Sequence, residues 1–198
     1  MHCKLIVAVG IILAGLSSLA GAQPDDLDWI DFETVDAGKV VLQTTKVDKG
    51  TVHIDLAIAI DAHWQAIWDV IMACEISPEY VPHVIACQRV ASIEDCDCEL
   101  FEHTVKPAFF LPKFEHIFRL EHFPPDRIIV SHVSGPIDRM EGAWLLIHRP
   151  GESIVLVNSL TLKPGFPVPP LFVRNTLKRD LPKVLREIRD RAESAGTN

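Results

Sequence analysis

Between Val84 and Leu162 six β-rich runs follow one another with connections of only a few residues, and one long amphipathic segment then closes the chain. The runs lie near Val84 to Ala91, Cys98 to Lys106, Phe114 to His122, Arg127 to Ser134, Met140 to His148 and Ile154 to Leu162. Pro124-Pro125-Asp126, Gly135-Pro136 and Pro150-Gly151-Glu152 supply turns, because proline presets φ and glycine tolerates positive φ. Parallel neighbours would need crossovers of about a dozen residues, so these strands must pair antiparallel. Upstream, Val40 to Val47 and Thr51 to Ile60 flank Asp48-Lys49-Gly50, a hairpin signal. Asp61 then reads as an N-cap, with Trp64, Ile67, Trp68 and Ile71 at helical spacing behind it. The terminal segment, Pro170 to Ala192, carries Val173, Leu177, Leu181, Val184, Leu185 and Ile188 on one stripe and basic residues on the other. Pro182 within it predicts a kink or a join between two helices. A one-sided helix and a twisted sheet bury each other's apolar faces. The expected class is therefore α+β, a curled antiparallel sheet of about seven strands around a long C-terminal helix, with short helices after the first core strand.

The N-terminus reads as an export signal: Lys4, the apolar stretch Leu5 to Ala20, and the small-residue site Ala20-Gly21-Ala22. Residues 1–22 are set apart on that ground, and the protein is expected in the periplasm of a bacterium or otherwise secreted. Residues 23–39 form an acidic, partly irregular lead-in, residues 40–193 one domain, and residues 194–198 a flexible tail. The net charge of −8 opposes nucleic acid and anionic lipid as main partners. Four cysteines follow the signal, and an exported chain can oxidise them. Cys87 lies before a short turn and Cys96 and Cys98 just after it, which predicts one bridge between Cys87 and one of the other two. Cys96-Asp97-Cys98 is not a zinc-ribbon spacing, so no metal site is expected.

The order of elements resembles the helix-grip fold of START-like proteins. The segments Val52 to Trp68, Tyr80-Val81-Pro82-His83-Val84, Val133-Ser134-Gly135-Pro136, Met140-Glu141-Gly142-Ala143-Trp144 and Val173 to Pro182 resemble the coenzyme Q-binding START-domain family, also called polyketide cyclase/dehydrase-like. The resemblance covers about Val40 to Arg191. One departure is local: where many relatives carry an Asp-Tyr pair after the first helix, this chain has Ala73-Cys74-Glu75. The resemblance implies a ligand cavity between the curled sheet and the C-terminal helix.

Strand alternation nominates the wall of such a cavity. Phe114, His116 and Phe118 share one face of their strand, and Phe101 and His103 share one face of the strand before. With a turn centred near Phe109 and Phe110, His103 and His116 fall opposite each other. Met140, Gly142 and Trp144 share a face, with Gly142 leaving room and Trp144 offering an apolar surface with one donor. Asn158 is a lone amide among Leu156 and Leu160, and a buried amide must find a partner. Val173 and Leu177 complete the wall from the helix. The histidines either hydrogen-bond to neighbours, hold a polar ligand group, carry protons, or bind a metal with one further ligand.

No Gly-x-Ser-x-Gly elbow, His-Glu-x-x-His motif or Gly-rich phosphate loop is present, and no catalytic residue or cofactor is assigned. Two loops are unusually apolar. Phe109, Phe110 and Leu111 in one, and Phe166 and Val168 in the other, should meet at one end of the meander, since alternate connections emerge on the same side. Such a patch either caps the core or serves as a ligand entrance with transient membrane contact. The leading expectation is a binding, transport or sensing protein for a hydrophobic small molecule, a lipid or an isoprenoid-quinone-like compound. A cyclase or dehydratase on a polyketide-like substrate, with His103 or His116 as proton carrier, and an interaction module with a filled core are the alternatives.

Overall fold

The structure, a computed structural model, describes residues 27–48, 50–93, 96–151 and 153–196. The expected signal, residues 1–22, lies outside the described residues, as do parts of the lead-in and tail. The lead-in is more ordered than its acidic composition suggests. Asp31 caps a short helix α1 (Phe32–Asp36), its carboxylate accepting the Thr34 N–H at 3.1 Å. Two hairpin strands follow, β1 (Val41–Asp48) and β2 (Thr51–Ile60), then α2 (Trp64–Met72), a single 3-10 turn at Cys74–Ile76, and α3 (Ser77–Tyr80). The meander comprises β3 (Val84–Ile93), β4 (Cys98–Val105), β5 (Phe114–Phe123), β6 (Arg127–Ser134), β7 (Ile137–Ile147) and β8 (Ile154–Pro164), and α4 (Pro170–Ala195) ends it.

All eight strands join one antiparallel sheet in the order β1-β2-β8-β7-β6-β5-β4-β3. The sheet has eight strands where about seven were expected, with the first hairpin strand β1 forming one edge beside β2. Period-two alternation divides β2 between two cores. Ile54, Leu56, Ile58 and Ile60 face α4, where Val184, Leu185, Ile188 and Ala192 pack on them. Ala57 and Ala59 face the other way, together with Val155 and Val157 of β8, and are covered by Ile30 and Val35 from the lead-in. Both faces of this part of the sheet are therefore dry, which explains why β2 is apolar almost throughout.

Three local expectations are corrected. The cap of α2 is His63 rather than Asp61: the His63 ring nitrogen Nδ1 accepts the Gln65 N–H at 3.3 Å, whereas the Asp61 N–H donates to Glu193 at the end of α4. Pro182 sits inside one continuous 26-residue helix, not at a join. Its missing N–H leaves the Lys178 carbonyl one bond short, and Lys178 is exposed, so water can supply the partner. Cys87 is bonded to Cys74, with a Cα separation of 5.4 Å, and Cys96 to Cys98. Register explains the exchange: Cys87 faces His103 on β4, while Cys98 faces Ile93, six residues further along β3. Six strand residues span roughly 20 Å, far beyond disulfide reach. The turn at Cys74, by contrast, lies directly over β3.

Candidate ligand cavity and its mouth

The sheet curls away from α4 along β4 to β7, and between them lies a cavity of about 250 Å³. Its wall is built from strand faces. On β4 and β5, Phe101 pairs with Phe118 and His103 with His116 across the ladder. The two imidazoles meet edge to face at 5.6 Å, and the Phe118 ring lies 4.7 Å from His103 and 5.4 Å from His116. Burial, with the neighbouring His116 adding to it, pushes the His103 pKa down to about 3. Burial, with His132 adding, pushes His116 down to about 4. Both rings are thus neutral near pH 7, each offering one N–H and one lone pair. Among the described residues His103 has no hydrogen-bond partner, and the buried Nδ1 of His116 has none either.

Gly135 lets the β6–β7 turn approach this pair. Its φ is +111°, and a Cβ there would stand 2.6 Å from the Glu115 carbonyl oxygen and 2.7 Å from the His116 Cβ. Gly142 on β7 has a different role from the one expected. A Cβ would collide with the Ser159 carbonyl oxygen, so the glycine accommodates the backbone of β8 more than it frees space for a ligand. Met140, Gly142 and Trp144 nonetheless line the cavity, and Trp144 pairs across the ladder with Asn158. Asn158 is only 6% exposed, and its Oδ1 finds no partner.

The other side of the cavity was less legible. Ile71, Cys74, Ser77, Tyr80 and Val81 descend from the α2–α3 segment, and Leu181, Val184 and Ile188 come from α4. Val105, Leu120 and Leu160 shared the right strand faces and were detectable by parity. Ser77 and Tyr80, in a single helical turn, carried no periodic signal. The Tyr80 hydroxyl donates to the Val70 carbonyl at 3.1 Å, and its burial pushes the phenol up to about 12. Ser77 is buried with its hydroxyl unpartnered. Among the described residues no Asp, Glu, Lys or Arg lines the cavity, and no group of three or more His, Cys, Asp or Glu is arranged to hold a metal.

Phe114, Val173 and Leu177, expected in this wall, line a second chamber of about 180 Å³ instead. They lie too near the loop end of the sheet: Phe114 is two residues outward from His116, and Val173 and Leu177 precede Leu181 by two turns and one turn of α4. The chamber shares Val105 with the cavity and adjoins it on the loop side. Three loops converge there. Leu111 comes from the β4–β5 loop, Ile137 from the start of β7, and Phe166 and Val168 from the β8–α4 loop. Phe166 packs against Phe114 at 5.7 Å and Phe110 against Phe172 at 6.0 Å. Phe109 and Phe110 do not line the chamber but stand outside it, 92% and 61% exposed. In its lining, His83 is held 3.2 Å from Asp180, whose carboxylate also accepts from Arg179 and Lys183. The Arg179 guanidinium is the main reason that carboxyl stays well below the usual range.

The far end is closed. Trp68 packs against His122 at 5.8 Å, and Trp68, Met72, Phe101, Leu120 and Ile128 form a dense cluster beneath the β5–β6 turn.

Residues 60–189 match the sequence model of the family described as polyketide cyclase / dehydrase and lipid transport. The chain belongs to that family. No curated protein matches the sequence. Solved structures share the fold at low identity. A START superfamily protein from Mycobacterium smegmatis is 16% identical over 72% of this chain and 98% of its own, with a TM-score of 0.60. A STAR-related lipid transfer protein from Xanthomonas axonopodis is 12% identical over 75% and 97%, with a TM-score of 0.61. The di-domain aromatase/cyclase StfQ of the steffimycin biosynthetic pathway is 16% identical with a TM-score of 0.58; the match covers 73% of this chain and about half, 51%, of that protein. The fold is the START-like helix grip that the element order implied.

Proposed function

We propose that this family member binds a hydrophobic small molecule in the cavity and passes it through the mouth chamber. The observation that carries the reading is a cavity lined by no Asp, Glu, Lys or Arg among the described residues, adjoining a second apolar chamber with exposed aromatic rings nearby. Affinity then comes from apolar area removed from water, at about 25 cal/mol per Å² before association costs. The lipid transfer protein among the structural relatives supports a lipid or isoprenoid-quinone-like cargo. Phe109, Phe110 and Leu171 supply the transient membrane contact. Among the described residues no helix is long and apolar enough to cross a membrane. Export to an oxidising compartment is part of the proposal, supported by the signal-like N-terminus and the Cys74–Cys87 bond.

Native mass spectrometry of the protein purified from its own compartment tests binding: a reproducible co-purifying molecule is expected, and an apo protein that takes up no offered hydrophobe refutes it. Phe110→Asp with Phe166→Asp tests the mouth. The double variant should stay folded by circular dichroism yet take up ligand from vesicles several-fold more slowly; unchanged transfer removes the role given to the rim.

A second reading has its own support. Two neutral histidines in contact inside a substrate-sized cavity can exchange protons with a bound carbonyl compound, and an aromatase/cyclase shares the fold. Turnover of a polyketide-like substrate that is lost in His103→Phe or His116→Phe would establish it.

A further inference from the structure

The connection between β3 and β4 carries a disulfide with a single residue inside it. Cys96 and Cys98 are joined across a sequence separation of 2, whereas Cys74 and Cys87 are joined across 13. A disulfide stabilises chiefly by restricting the unfolded chain, and that restriction shrinks with the loop it closes. The Cys96–Cys98 link therefore adds little as a staple. It also requires the chain to bend. An extended strand would hold the two Cα atoms about 6.6 Å apart. They stand at 5.2 Å because Asp97 between them takes a left-handed φ of +47°, a region that residues other than glycine enter at a cost. The bend is fixed from outside, since the His122 N–H donates to the Asp97 carbonyl at 3.1 Å.

The surroundings of both sulfurs suit thiols. Cys96 Sγ lies 3.7 Å from the Ile93 carbonyl oxygen, and Cys98 Sγ lies 3.1 Å from the Cys96 carbonyl oxygen. A disulfide has no proton to give these acceptors, and two S–H groups do. Reduction thus gains two weak hydrogen bonds to carbonyls already in place, with the bend still held by His122. The sulfurs differ in access: Cys96 is exposed, and Cys98 is 2% exposed. In the other disulfide Cys74 is 1% exposed, and the bond ties the turn after α2 to β3.

We propose that Cys96–Cys98 is a redox-active disulfide that exchanges with dithiols of other molecules through Cys96, while Cys74–Cys87 stays oxidised as a structural link. A deprotonated thiol of the partner attacks Cys96 Sγ. The S–S bond breaks with its electron pair leaving on Cys98 Sγ, which takes up a proton. The partner's second thiol then loses its proton and attacks the partner's own sulfur in the mixed disulfide, and Cys96 leaves as a thiolate and is protonated. Two electrons and two protons have passed: the protein is reduced to a dithiol and the partner is oxidised to a disulfide. Exposed disulfides are in general the more oxidising and the more labile ones.

Equilibration of the oxidised native protein with dithiothreitol at pH 7, followed by acid quenching and peptide mapping, tests the proposal. Cys96–Cys98 should open with less than about a tenth of the reductant that opens Cys74–Cys87, and the circular dichroism should not change. Opening of Cys74–Cys87 first, or of both together, overturns the proposal, and so do free thiols at Cys96 and Cys98 in protein isolated with Cys74–Cys87 formed. A reduced Cys-Gly-Gly-Cys peptide mixed with the oxidised protein should be converted to its disulfide mole for mole as Cys96–Cys98 opens; a peptide that stays reduced while dithiothreitol opens the bond overturns exchange with dithiols of other molecules. Cys98→Ser and Cys96→Ser, each treated with glutathione disulfide, test the point of entry. The first should gain glutathione on Cys96 roughly tenfold faster than the second gains it on Cys98, and equal rates overturn entry through Cys96.

Discussion

Protonation of the cavity histidines should destabilise the protein as the pH falls from about 6.5 towards 5. Both rings are depressed in the folded state, His103 to about 3 and His116 to about 4, mainly by burial. In the unfolded chain both titrate near the ordinary value of about 6.5. Below that value the unfolded state binds protons that the folded state refuses, so stability is fully present above pH 6.5 and falls as the pH drops towards the folded values. Between pH 6.5 and 5 each ring loses about 1.36 kcal/mol per pH unit, hence about 2 kcal/mol each and about 4 kcal/mol together. With a urea dependence of about 2 kcal/mol per M, the unfolding midpoint should move down by about 2 M. His53, raised by its hydrogen bond to Asp55, works in the opposite sense, so the comparison must be with a variant. Urea titrations at pH 8 and pH 5 of the native protein and of His103→Phe/His116→Phe supply it. The double variant should lose most of the midpoint shift. The same shift in both proteins would refute the claim that these two rings are held neutral inside the fold.

Two further outcomes follow from local geometry. Replacing Cys74 and Cys87 together by Ala removes a link across a sequence separation of 13 residues and should cost about 3 kcal/mol by urea unfolding, with reductant then having little further effect. Gly135→Ala places a side chain at φ +111° against the Glu115 carbonyl and should destabilise by about 3 kcal/mol or more, visible as a lower melting temperature, whereas Gly151→Ala, with nothing within 4 Å, should cost less.

The strand faces were readable because alternation has a strict period. Once β4 and β5 form a hairpin, residue pairs sum to a constant, and His103 must meet His116. The antiparallel order, the terminal helix and eight of the cavity-lining residues follow from the same logic. What lay beyond it depended on distance along the elements. Phe114, Val173 and Leu177 have the correct facing but stand at the mouth, and facing alone does not report depth. The Cys74 partner of Cys87 could not be read from sequence, because the α2–α3 segment crosses over β3 through turns with no period. The lead-in hid its role in the same way: Leu27, Trp29, Ile30, Phe32 and Val35 are scattered among acidic residues without a sustained period, and only the back of β2 and β8 gives them a purpose.

The plug of Trp68, Leu120 and Ile128 makes the cavity a cul-de-sac. A molecule that enters such a sac must leave by reversing, so whichever end goes in first comes out last. Its trailing end is then the part presented at the chamber lined by Phe114 and Phe166 for the whole time of residence. If the proposed transport holds, a carrier of this shape preserves the head-to-tail polarity of its cargo between pick-up and delivery, and a partner at the mouth would always meet the same end of the molecule.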